Sequence, residues 1–153
     1  MQMFVEVGCQ NGEKLLHFYV NELKLFYLSG EYGMGCFKIV DRDKKFGLII
    51  RESNSFKARE NILFTIEVAC LEDFISRFHV LNLKSQGAHI ASEIFEWPGG
   101  KSVPVVDVAG NKFLVSVRSI SLALELQAID LMSRAGQPGR HPKTRSCQKH
   151  QET

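Results

Sequence analysis

The side chains that could do chemistry are dispersed along the chain, and their spacing excludes more than it offers. The histidines are His17, His79, His89, His141 and His150. No two of them have the spacing that brings imidazoles onto one metal ion. His89 alternates with Ile90 on a strand-like stretch and could face a cavity, although a solvated or satisfied histidine is the simpler reading. The cysteines Cys9, Cys36, Cys70 and Cys147 are far apart and form no C-x-x-C pair. Three of them sit among apolar neighbours, which favours packing over reactivity. No serine or cysteine stands in a G-x-S-x-G elbow. The glycines of Gly30-Glu-Tyr-Gly-Met-Gly35 lack the Lys-Ser/Thr of a phosphate loop and open no helix, so they read as a turn. Two features could bind without reacting. Trp97-Pro-Gly-Gly100 places the sole tryptophan on a glycine-flexed loop, where it could stack on a flat ligand or cover a sheet edge. Arg51 could hold a carboxylate or phosphate if it points inward, and is an ordinary surface charge if it points outward.

These residues are carried by a pattern of elements that occurs twice. Met3 to Cys9 alternates as a strand, Asn11-Gly12 turns the chain and can cap a helix, and Leu15, Phe18, Tyr19 and Glu22 recur at helical spacing up to Leu23. Strands are expected over Leu25–Leu28, Cys36–Asp41 and Phe46–Glu52. Residues 53–61 are polar and aperiodic, and read as a connection. The order then repeats. Ile62 to Ala69 is a strand, and Glu72 and Asp73 open a helix faced by Phe74, Ile75, Phe78, Leu81 and Leu83 and stopped by Gly87. Strands follow over Ala88–Phe95, Lys101–Val108 and Lys112–Val117. Ile120 to Met132 reads as a further helix.

In this order and spacing the chain resembles the vicinal oxygen chelate superfamily of glyoxalases, bleomycin- and fosfomycin-resistance proteins and extradiol dioxygenases. The resemblance covers roughly Met3 to Val117. It rests on Asn11…Phe18-Tyr19…Leu23-Lys-Leu25, on the Val68…Leu71-Glu72 step from strand to helix, and on Asp107-Val-Ala-Gly-Asn111, which is similar to a D-P-x-G-N turn. Asn11, Lys24 and Val108 depart from the usual Asp, Gly and Pro. The resemblance implies two tandem βαβββ modules. In metal-dependent members, it also implies four donor positions, two per module. Counted by spacing, these fall on Phe4, on Ile50 or Arg51, on Leu63 and on Leu114. None of these side chains holds a cation. A shift of one or two residues finds no donor within Ile62–Ile66 or Phe113–Val117, which leaves Glu6, Glu52 and Glu67 as isolated carboxylates.

The expectation is therefore an α+β fold of two βαβββ modules forming a curved mixed sheet around a central cavity. Module one spans 1–52, a linker 53–61, and module two 62–118, followed by a C-terminal helix over 119–132 and a disordered basic tail over 133–153. The tail carries Arg134, Arg140, Lys143, Arg145 and Lys149 against Glu152, while the whole chain has a formal net charge of +2, so the body is slightly acidic. Five basic residues without interleaved aromatics are a poor nucleic-acid footprint. No apolar run approaches the roughly 20 residues of a membrane span. The N-terminal stretch does not read as a secretory signal, which points to reduced thiols in the cytoplasm.

The function expected is a metal-independent binder of a partly aromatic or anionic small molecule, with no cofactor. Phe4, Glu6, Arg51, Leu63, Trp97 and Leu114 would line its cavity. A homodimer is expected, since such dimers are common in the resembled family. The competing readings are a metal-dependent lyase, isomerase or dioxygenase with a non-standard site, a general-base enzyme using Glu6 or Glu52, and a structural dimer module whose cavity is self-filled.

Overall fold

The computed structural model describes residues 2–119. The expectations of a helix over 119–132 and a tail over 133–153 concern residues outside those described, Ser119 apart.

Alternating side chains build the first module. Strand β1 (Met3–Cys9) turns Val5, Val7 and Cys9 to the core and Phe4, Glu6 and Gly8 away from it. Helix α1 (Gly12–His17) starts where expected, with the Asn11 Oδ1 accepting the Lys14 N–H at 2.8 Å. The helix does not run on to Leu23 as an α-helix. Residues Phe18–Glu22 form a π-helical segment, closed by the Leu23 N–H donating to the Phe18 carbonyl at 2.9 Å. The wider turn lets Phe18 and Tyr19 both point inward. Strands β2 (Tyr27–Glu31), β3 (Phe37–Val40) and β4 (Phe46–Glu52) complete the module. The second strand thus starts two residues later than Leu25. The sheet order is β1-β4-β3-β2, with β1 and β4 parallel.

The second module repeats this plan. Strand β5 (Ile62–Glu67) leads to α2 (Leu71–Val80), which buries Leu71, Phe74 and Phe78. This helix ends before Gly87. The left-handed Asn82 breaks it, and a short 3-10 turn over Leu83–Gln86 follows, which Gly87 (φ +102°) terminates. Strands β6 (His89–Ile90), β7 (Phe95–Trp97), β8 (Gly100–Val106) and β9 (Lys112–Arg118) form a sheet of order β5-β9-β8-β6, with β5 and β9 parallel and β7 also paired to β8. The strand expected over Ala88–Phe95 is therefore broken. Its neighbour explains the break. The Pro104 carbonyl accepts the Ala91 N–H at 2.8 Å, but Pro104 has no N–H to return, so the ladder lapses after Ala91 and resumes at Phe95.

The two sheets share one core. Tyr19 lies 5.8 Å from Phe113 and 6.3 Å from Phe64, and Phe46 lies 5.9 Å from Phe64, ring centre to ring centre. Arg77 of α2 crosses to module one and donates from Nη2 to the Leu23 carbonyl at 2.7 Å. Each sheet therefore has one face in the common core, and among the described residues no helix covers the other, open face.

Candidate functional site

The open face of the first sheet carries three of the expected site residues. Phe4 lies across Gly47, where an added Cβ would stand 2.5 Å from the ring, and the Lys38 ammonium sits 4.3 Å from the ring centre. Glu6 is opposite Ile49, and its carboxylate meets the Arg51 Nη2 at 3.1 Å. The register of β4 on β1 thus decides the direction of Arg51, which points to the face away from the core.

The open face of the second sheet carries Trp97 and Leu114. Trp97 and Phe95 are each about half exposed, at 43% and 44%. The Trp97 indole Nε1–H donates to the Ser102 hydroxyl at 2.9 Å, and Ser102 is 2.7 Å from the Ser116 hydroxyl. Both serines are buried, so the indole is pinned at one edge while its ring stays accessible. The ring also packs against Gly99, where a Cβ would collide with it. Leu114 sits between Pro104 and Thr65, and Glu67 is bonded to the Arg118 Nε at 2.6 Å.

Leu63 falls at an irregularity of β5 between Ile62 and Thr65, which puts Thr65 opposite Leu114. It packs partly on the core and lines a cleft of about 250 Å³ with Glu6, Gly8, Phe56, Arg59 and Asn111. Glu6 and Leu63 are thus brought together. Phe56 and Arg59 come from the linker, and the Phe56 ring lies on Gly8. The one aromatic in a polar linker was the signal for it in the sequence.

Behind these faces lies a buried polar hub. The Asp107 Oδ1 accepts the backbone N–H groups of Ala109 (2.8 Å) and Asn111 (2.9 Å). Its Oδ2 accepts the Tyr19 hydroxyl and the Asn111 side-chain amide, both at 2.9 Å. The same amide nitrogen reaches the Gly8 carbonyl at 2.9 Å and ties the modules together. Burial raises the Asp107 pKa above the ordinary carboxylate value, and the hydrogen bonds offset only part of that rise. Burial, together with the Asp107 charge, also pushes the Tyr19 phenol well above its usual value. Burial and the nearby Glu52 push the Cys9 thiol up to about 11, so it is not a nucleophile at neutral pH. Glu52 itself accepts the Gly12 N–H at 2.7 Å, at the start of α1. It does not lie free as a base.

No protein-family model and no curated protein matches the chain. Solved structures do match its fold. The antibiotic-binding protein TnmS3 from Streptomyces sp. CB03234 aligns with a TM-score of 0.61 at 15% identity, over 78% of this chain and 96% of its own. The fosfomycin resistance protein FosX from Listeria monocytogenes aligns with a TM-score of 0.61 at 12% identity, over 82% and 97%. A glyoxalase/bleomycin resistance protein/dioxygenase superfamily member from Sphaerobacter thermophilus DSM 20745 aligns with a TM-score of 0.57 at 15% identity, over 77% and 98%. The chain has the vicinal oxygen chelate fold. At these identities the likeness carries the fold alone.

Within the vicinal oxygen chelate fold, the residues that spacing alone assigns to the donor positions, Phe4, Ile50 or Arg51, Leu63 and Leu114, offer no ligand that fits a metal ion. Phe4 and Leu114 present hydrocarbon, and Arg51 presents a cation. Leu63 has no donor atom. The two carboxylates on the open faces, Glu6 and Glu67, are each engaged by an arginine. Among the described residues no group of three or more His, Cys, Asp or Glu side chains could hold a metal. A larger groove of about 720 Å³ lies elsewhere, between Glu22 and Lys24 on one side and Arg77, Val80 and Leu81 on the other. The Glu22 Oε1 accepts the Gln86 amide there, and its Oε2 is buried without a partner. No expected site residue lines that groove. Among the described helices, none is long and apolar enough to cross a membrane.

Proposed function

We propose that this chain is a metal-independent small-molecule-binding protein of the glyoxalase/bleomycin-resistance type. It holds a partly aromatic or anionic ligand against the open sheet faces, using Phe4, Glu6, Arg51, Leu63, Trp97 and Leu114. The observation that carries this reading is Trp97. Its indole is fixed by Ser102 yet half exposed, which is what a stacking platform requires, since little rotamer entropy is lost on binding. TnmS3, whose fold this chain shares, is an antibiotic-binding protein, which supports the reading. A cytoplasmic homodimer belongs to the same reading. Tyr27, Leu28, Tyr32 and Met34 expose a run of large apolar side chains along and beyond β2, which a second copy would cover.

Two measurements test it. Planar aromatic compounds are expected to quench or shift Trp97 emission saturably, and silence across a broad panel would leave the self-filled structural module. Protein purified without added metal is expected to carry less than stoichiometric Zn, Ni, Mn or Fe and to keep its Tm in EDTA. One metal per chain, lost with stability on chelation, would return the case to the enzyme.

A further inference from the structure

The internal repeat has left a matched pair of charges on the open faces. Glu6 of β1 lies opposite Ile49, and Arg51 stands two residues further along β4. Glu67 of β5 lies opposite Ser116, and Arg118 stands two residues further along β9. Each module thus sets a glutamate on its first strand diagonally against an arginine on its last, across the parallel strand pair. The contacts are 3.1 Å through the Arg51 Nη2 and 2.6 Å through the Arg118 Nε. All four side chains are at least half exposed. Ion pairs of that kind contribute little to stability. A guanidinium has five N–H donors in a planar fork, so holding one carboxylate oxygen leaves donors over. Strand alternation adds Lys38 to the face of Arg51 and Lys112 to that of Arg118, so along β1, β3 and β4, and along β5, β8 and β9, cations exceed carboxylates. Beside them lie rings, with Phe4 on one face and Phe95 and Trp97 on the other.

We infer that Arg51 and Arg118 are repeat-related anchors for a planar oxyanion, such as a carboxylate attached to an aromatic ring, with Glu6 and Glu67 occupying each guanidinium until the anion displaces them. This rests on the binding reading above and narrows its ligand to an aromatic acid.

The test titrates a naphthalene carboxylate and its neutral carboxamide into the full chain at low ionic strength, read by Trp97 emission and calorimetry. The carboxylate is expected to bind about tenfold more tightly, the size of one charge-assisted hydrogen bond. Arg51→Gln and Arg118→Gln should each weaken the carboxylate more than the carboxamide, so that the gap between the two probes narrows. Arg51→Lys keeps the charge without the fork and should fall between. Glu6→Gln and Glu67→Gln free the guanidinium and should tighten the carboxylate but not the carboxamide, and the gain should vanish when the partner arginine is also replaced by glutamine. Circular dichroism establishes that each variant is folded, and the lysine variant replaces any glutamine variant that is not. Equal affinity for the two probes, an equal loss for both in the arginine variants, or a weaker carboxylate in the glutamate variants overturns the inference while binding itself stands. Binding of neither probe overturns the binding reading and this inference with it.

Discussion

Asp107→Ala is expected to lower stability by about 3–5 kcal/mol, with a fall in Tm on the order of 15 °C. Four donors converge on this one carboxylate: two backbone N–H groups, the Tyr19 hydroxyl and the Asn111 amide. Asp107 and Tyr19 are fully buried and Asn111 nearly so. The substitution therefore leaves donors facing apolar surroundings with nothing to accept them, which is costlier than losing a solvated bond. Asp107→Asn keeps the shape but turns an amide N–H₂ toward the Asn111 amide, so it should also destabilise. Adding Tyr19→Phe to Asp107→Ala should cost less than Tyr19→Phe does alone, because the hydroxyl has already lost its acceptor. Urea denaturation of the four proteins measures the cycle. A loss under 1 kcal/mol for Asp107→Ala would show that the hub is not structural.

The sign of the pH dependence follows from the same carboxyl. Its pKa is raised in the fold, with burial the largest cause. Its contribution is fully present below the ordinary carboxylate pKa, where both states are protonated, and is lost as pH rises through the raised value. The penalty for Asp107→Ala should therefore be greatest below the ordinary carboxylate pKa and shrink as pH rises through the raised value. A penalty that grew with pH would mean that the hydrogen bonds outweigh burial.

What was legible in the sequence was whatever depended on local alternation. Met3–Cys9 and Phe46–Glu52 match their strands because their apolar side chains pack into a core and their ends meet turns. The Asn11 cap was legible for the same local reason. The π-helical segment was not, since it places Tyr19 on a carboxylate 88 residues away. The lapse after Ala91 depends on Pro104 in a neighbouring strand, so it became readable only with the pairing known. The candidate site divides in the same way. Phe46–Glu52 is apolar on both faces, so only the β1–β4 register gives Arg51 its direction. Arg118 carries no local signal because it ends a strand, and its kinship to Arg51 is a relation between registers that no sequence spacing displays.

Gly12→Ala is expected to cost about 2–3 kcal/mol, at the upper end of overpacking. A Cβ on Gly12 would run into the Gly35 backbone carbonyl, which cannot swing aside as a side chain can. Gly35 is itself held at φ +66°, and a Cβ there would meet the Glu52 side chain. The helix start, the β2–β3 turn and the end of β4 thus meet at one point, closed by the 2.7 Å bond from the Gly12 N–H to Glu52. A carboxylate there also favours the positive end of the helix. Glu52→Gln keeps an acceptor at the site and should cost about 1 kcal/mol. It should leave ligand binding unchanged, because this side chain serves the helix and not the open face. Thermal melts of both variants, with probe titrations alongside, decide the matter. A Gly12→Ala protein as stable as wild type would show that the β2–β3 turn yields, and a loss of binding in Glu52→Gln would restore Glu52 to the site.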